Sequence, residues 1–124
     1  MSFQLAAISD EFMQQALVTT RAYTIALLRK GPAYDPPRTD AIVWEHGRRN
    51  FQFRAAGVMC IICPISDGTD MAGILIFDAD PPEVERIMAD DPAVKAGVLV
   101  YEIHAARSFP GDCLRAVRSD HASS

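Results

Sequence analysis

The stretch Val58-Met59-Cys60-Ile61-Ile62-Cys63-Pro64-Ile65-Ser66-Asp67-Gly68-Thr69-Asp70-Met71-Ala72-Gly73-Ile74-Leu75-Ile76-Phe77 decides the fold. Val58 to Cys63 is a continuous apolar run stopped by Pro64, short enough to be a buried strand rather than a helix. Ser66 to Asp70 supplies turn residues, and Met71 to Phe77 reads as the next strand, so the two form a hairpin.

Upstream of the hairpin, Asp40 is placed to cap a helix that runs to about Ala56, with Gly57 at the left-handed cap position. The three prolines and one glycine between Gly31 and Pro37 make that segment a loop. Arg21 to Arg29 alternates Tyr23, Ile25 and Leu27 against Ala22, Thr24, Ala26 and Leu28, a strand apolar on both faces. Ser9 to Leu17 reads as a short helix in front of it.

Downstream, Asp80, Pro81 and Glu83 carry the pattern of a helix start with a reciprocal carboxylate, and the helix is expected to reach about Asp90. Asp91 precedes Pro92, which pushes it out of the helical region. Gly97 then releases the chain into a last strand, Val98 to Arg107, with Leu99, Tyr101, Ile103 and Ala105 alternating against Val100, Glu102 and His104.

The order β-α-β-β-α-β predicts an α+β domain of the split βαβ type, an antiparallel sheet with two helices on one face. Residues 1–20 form an N-terminal helical extension, 21–110 the α+β domain, and 111–124 an exposed C-terminal tail. One sheet face is left bare although strand one is apolar on both sides, and a second copy of the chain is the simplest cover.

The 124 residues are 49% hydrophobic and 23% charged, the balance of one compact domain with a core that needs no metal or disulfide staples. A net charge of −4 argues against a nucleic-acid partner, which requires a basic face. No apolar run approaches the roughly 20 residues of a membrane helix, and the first ten residues lack a signal-peptide pattern, so no membrane partner and a cytoplasmic location are expected. The odd set Cys60, Cys63 and Cys113 fits a reducing compartment.

On the first domain helix, Trp44, Gly47, Phe51 and Ala55 share one stripe, with Ile42, His46, Asn50 and Phe53 roughly opposite. Only one stripe can face the sheet, and the mixed one carrying an imidazole and an amide suits a cleft wall or a partner contact. Val84, Ile87, Met88 and Asp91 fall at helical offsets, placing Asp91 at the end of a sheet-facing apolar stripe, where an acid needs a partner. His46 is the best-placed candidate: Asp91 would accept one imidazole N–H and leave the other nitrogen to take a proton from a small molecule. The alternative is that Asp91 caps local amides and His46 is an ordinary half-buried side chain.

Cys60 and Cys63 have the spacing of a redox or zinc half-site, but on a strand they read as core residues, and no second ligand pair follows them, so no metal is expected. Arg48, Arg49 and Arg54 read as a solvated face, with anion binding as the alternative. Arg29, Asn50 and His104 are candidate substrate-binding residues, although alternation does not tell which strand face is inside. Phosphate-loop, dinucleotide and nucleophile-elbow signatures are missing.

From about Thr24 to Leu114 the chain resembles a YCII-related domain of the dimeric α+β barrel superfamily. The resemblance rests on His46, Gly57, Pro64 and, most specifically, Asp91-Pro92-Ala93-Val94-Lys95-Ala96-Gly97. It implies a ferredoxin-like protomer whose sheet packs on that of a second copy, giving a homodimer or higher homo-oligomer. It also implies that His46 and Asp91 form an active-site pair in a cleft. Cys63 stands where the family usually has glycine, and the residues to about Thr20 lie beyond the typical domain, as an arm that crosses to a partner or covers the pocket. The expectation is a cofactor-independent enzyme of isomerase or lyase type acting on a small organic molecule. The alternative is a non-catalytic homodimeric binding or structural protein.

Overall fold

A computed structural model of the chain describes residues 2–116; the expectations for residues 117–124, His121 among them, lie outside the described residues. The elements are α1 (Asp10–Leu17), β1 (Arg21–Lys30), α2 (Asp40–Ala55), β2 (Met59–Pro64), β3 (Met71–Phe77), α3 (Pro81–Ala89), α4 (Pro92–Lys95) and β4 (Leu99–Ser108). By contacts the chain divides into a larger unit, Ala22–Arg107, and a smaller one made of Met1–Arg21 with Ser108–Ser124.

In the larger unit the four strands form one sheet in the order β2-β3-β1-β4, the α+β arrangement of ferredoxin-like proteins. β3 runs antiparallel to both β1 and β2, with Ala26 opposite Leu75 and Ile62 also opposite Leu75. Thr24, Ala26 and Leu28 of β1 and Gly73, Leu75 and Phe77 of β3 are buried on the same side, because side chains alternate along a strand and these positions pair in register. Val84, Ile87 and Met88 of α3 complete that core with Met59 of β2. Each such large side chain, fully buried, is worth about 1.5–3 kcal/mol. Thr24, the polar member of the row, donates its hydroxyl to the Ala79 carbonyl at 2.6 Å, which satisfies it at the start of the α3 loop.

The opposite face carries Ile25, Leu27, Ile61, Ile74 and Ile76, all half-buried. It is apolar at its centre, as the alternation of β1 implied.

The helix ends follow local chemistry. Asp80 accepts from the Glu83 amide at 3.1 Å, and Pro81 opens α3 where a missing amide proton costs nothing. The expected reciprocal carboxylate is not formed, because the Glu83 side chain pairs with Arg86 instead. Gly57, with φ +78°, takes the left-handed turn after α2. Asp40 is the first residue of α2 rather than its cap; Thr39 occupies the cap position without a side-chain bond.

One further expectation is corrected. Cys60 and Cys63 are exposed, not core, because β2 is the edge strand, with a neighbour on one side only and a slip in the ladder between Met59 and Ile61. Asp91 stands outside α3, as its place before Pro92 implied; its extended backbone, ψ 135°, separates α3 from α4, a four-residue helix too short to read from periodicity.

Gly31 closes the frame. Its amide donates to the Val98 carbonyl at 2.8 Å, and a Cβ there would lie 2.3 Å from the Gly97 carbonyl oxygen. Only glycine permits this backbone approach, which ties the exit of β1 to the turn after α4 and folds the loop carrying Tyr34 against Ala93, Val98 and Leu99.

In the smaller unit, the Ser9 hydroxyl oxygen accepts from the Phe12 amide at 3.0 Å and starts α1, as its sequence indicated. Thr19 and Thr20 hydroxyls donate to the Ala16 and Leu17 carbonyls at its end. Residues 112–116 form no regular element. Among the described residues no helix is long and apolar enough to cross a membrane.

Candidate functional site

The inner stripe of α2 is the mixed one. His46 and Asn50 are buried, while Trp44 and Phe51 are 69% and 53% exposed, so the aromatic stripe faces outward. Apolar residues lie on both sides of α2, and the side that turns in is the one on which His46 finds a polar partner.

That partner is Asp91, itself 1% exposed. Its Oδ1 accepts from His46 Nδ1 at 2.9 Å, and its Oδ2 accepts from the Ala93 and Val94 amides at 3.0 and 3.2 Å. The carboxylate therefore caps α4 and holds the imidazole at once, so the contact of the first reading and the cap of the second occur together, while His46 is buried rather than half-buried. Burial alone would raise the Asp91 pKa; the hydrogen bond and charge of His46, with the two amides, outweigh it and hold the carboxyl below its usual value.

Arg49, expected on a solvated face, is 20% exposed and closes the other side of the pair. Its guanidinium donates to the Ile87 carbonyl at 2.7 Å, lies 3.7 Å from Asp91 Oδ1, and stacks 4.9 Å from the centre of the Phe53 ring. The guanidinium thus supports the buried carboxylate and uncapped carbonyl where α3 ends.

Because the carboxylate only accepts, Nδ1 carries a proton toward it, and in the neutral imidazole Nε2 then presents its lone pair. Asn50, one turn on, places its amide nitrogen 3.3 Å from Nε2 and donates to it. The array runs from amides through Asp91 and His46 to Asn50, and it ends at a cavity of about 280 Å³ that His46 and Asn50 both line. The other walls are Leu28, Leu75 and Leu99 from the sheet, Val43 and Gly47 from α2, Cys63 to Ile65 and Ala72 to Gly73 from the hairpin, and Lys30 and Tyr34 at the β1 exit. Gly73 keeps β2 and β3 close, since a Cβ would stand 3.1 Å from the Cys63 carbonyl.

The remaining candidates are elsewhere. Arg29 reaches Asp70 and Glu102, each at 3.6 Å, and His104 Nε2 lies 2.8 Å from Glu102. Both belong to the opposite, outward sheet face, where the hydrogen bond and charge of His104, followed by Arg29, lower the Glu102 pKa. Neither lines the His46 cavity. Lys30 and Tyr34 do line it but were not singled out in the sequence; one parity step separates Lys30 from Arg29, and only the choice of buried face distinguishes them. Among the described residues no group of three or more His, Cys, Asp or Glu is gathered for a metal ion.

No family model and no curated protein matches the chain. Among solved structures it is similar to the 5-chloro-2-hydroxyhydroquinone dehydrochlorinase TftG from Burkholderia phenoliruptrix, in complex with 2,5-dihydroxybenzoquinone, with 21% identity and a TM-score of 0.44. The likeness covers 65% of this chain and 90% of that one.

Proposed function

We propose that the chain is an enzyme that moves a proton on a small organic molecule, as an isomerase or lyase, with His46 as general base and Asp91 as its orienting carboxylate. The observation that carries this reading is the buried His46 Nδ1 to Asp91 Oδ1 bond of 2.9 Å at the wall of the cavity. With Nδ1 held, Nε2 is the nitrogen left to accept a proton from an acidic C–H or O–H of the ligand. The electron pair stays on the substrate, and the proton returns to a different atom in an isomerisation or the pair expels a leaving group in an elimination. Asn50 must yield its bond to Nε2 as substrate enters, so it positions the base and then offers its amide to the ligand.

A second reading, a non-catalytic binding protein, is favoured by that same Asn50 bond, which caps the Nε2 lone pair at the cavity wall. A thermal-shift screen of small carboxylates, phenols and lactones against the native protein and His46→Ala tests both. Hits that raise Tm in the native protein and lose the shift in the variant are expected. Hits that are converted support the enzyme, bound but unaltered hits support the binding protein, and hits indifferent to His46 count against both.

The chain is also proposed to form a homodimer of the α+β barrel type, with residues 21–110 as the packed domain and residues 1–20 as an N-terminal extension. The support is the apolar centre of the outward sheet face, Ile25, Leu27, Ile74 and Ile76, edged by Arg29, Glu102 and His104. Sedimentation equilibrium should give a dimer for the native chain and a folded monomer for Ile76→Lys; a monomeric native chain would remove this proposal.

A further inference from the structure

We propose that Lys30 makes the His46 cavity selective for small organic monoanions, seating a carboxylate, phenolate or enolate oxygen at the β1 exit while the reacting hydrogen faces His46. This deepens the proton-transfer reading and rests on it for the identity of the cavity as the ligand site.

Among the residues lining the cavity Lys30 is the one with a permanent charge, and no carboxylate lines it. Its ammonium donates to the Thr69 carbonyl at 2.9 Å and lies 5.4 Å from the centre of the Tyr34 ring, both neutral partners. Asp67, the acid near it, accepts the Thr69 hydroxyl and amide on Oδ1 at 2.7 and 3.1 Å and feels the Lys30 charge only as the last of the influences that lower its pKa, without a direct contact. Lys30 forms no ion pair with any described residue. An ammonium has three donors, and one carbonyl leaves two for a ligand.

The setting favours an anion over a neutral polar molecule. Most of the remaining wall is apolar, so the Lys30 ammonium is the charged donor that the cavity offers a ligand oxygen. A cavity of about 280 Å³ sits near the lower end of ligand pockets and admits roughly a single ring with small substituents. The placement also serves the chemistry. Removing a proton at His46 leaves negative charge on the substrate, and where that charge delocalises onto the oxygen held by Lys30, the ammonium stabilises it as it grows.

The experiment is an NMR titration that follows the His46 imidazole signals with two probe pairs, benzoate against benzamide and 4-nitrophenolate against nitrobenzene. It uses the native chain, Lys30→Met, which keeps an unbranched stem, and Lys30→Arg, which keeps the charge. The charged member of at least one pair should bind the native protein roughly tenfold or more tightly than its neutral partner, in line with a hydrogen bond to a charged group. That preference should vanish in Lys30→Met and survive in Lys30→Arg, and the pair that shows it identifies the anion. Equal binding of both members of each pair, or a preference that survives in Lys30→Met, overturns the anion subsite while leaving the cavity a ligand site. If no probe moves the His46 signals, this inference and the reading of the cavity fall together.

Discussion

Asp91→Ala is expected to lower the stability of the fold by about 3 kcal/mol or more, since each buried donor left without its acceptor costs about 1–3 kcal/mol. Native domains have only about 5–15 kcal/mol in hand, so the variant should stand at the edge of unfolding at room temperature. The reason is the number of donors that converge on one carboxylate: the Ala93 and Val94 amides, the His46 N–H and, at longer range, Arg49. Removing it orphans buried donors in two helices together. Asp91→Asn should cost less but not be silent. Its amide has one accepting oxygen, which can serve either His46 or the α4 amides, while its NH₂ must then face a donor.

The pH dependence has a definite sign. The folded pKa of Asp91 is depressed, so its ionisation contributes stability that is fully present above the unfolded value, near 3.9, and lost as pH falls through the folded one. The gap in urea midpoint between native protein and Asp91→Asn should therefore be widest near neutrality and narrow below about pH 4. A gap that widens on acidification would contradict the hydrogen-bond assignment.

The second large effect is on rate. Once a substrate is in hand, His46→Ala should reduce kcat by about 10²–10⁴-fold, the usual worth of a positioned general base, with a much smaller change in KM. Binding is supplied mainly by the apolar walls and Lys30, which the substitution leaves in place. Since the variant leaves Asp91 short of one donor, the comparison belongs at a temperature where circular dichroism shows both proteins folded. Retained turnover in His46→Ala would end the general-base proposal. A loss carried wholly by KM would make His46 a binding residue.

Much of the fold was legible because local signals agreed. The hairpin was marked by an apolar run, a proline and a turn cluster, α3 by its Asp-Pro start, and the end of α2 by Gly57. The illegible parts share a cause: they depend on which of two apolar surfaces turns inward. On α2, Trp44 and Phe51 are as suited to burial as Ile42 and Phe53, and the side that turned in is marked by a polar pair whose members lie 45 residues apart. On β1, parity alone sends Arg29 outward and Lys30 into the cavity. On β2, an edge position exposes cysteines that an apolar run appeared to bury. Asp91 and His46 could be nominated from their stripes and from the YCII resemblance. That one carboxylate would serve a helix cap and an imidazole depended on α4, too short to carry a period.

That double service by Asp91 bears on how sequences of this kind should be read for function. A residue that holds up the backbone will persist in descendants that have abandoned any reaction, since losing it forfeits the fold. Its presence is therefore poor testimony to activity. His46 carries less of the architecture, and a lineage freed from chemistry can discard it, so the histidine is the better marker of which descendants still have work for the cavity.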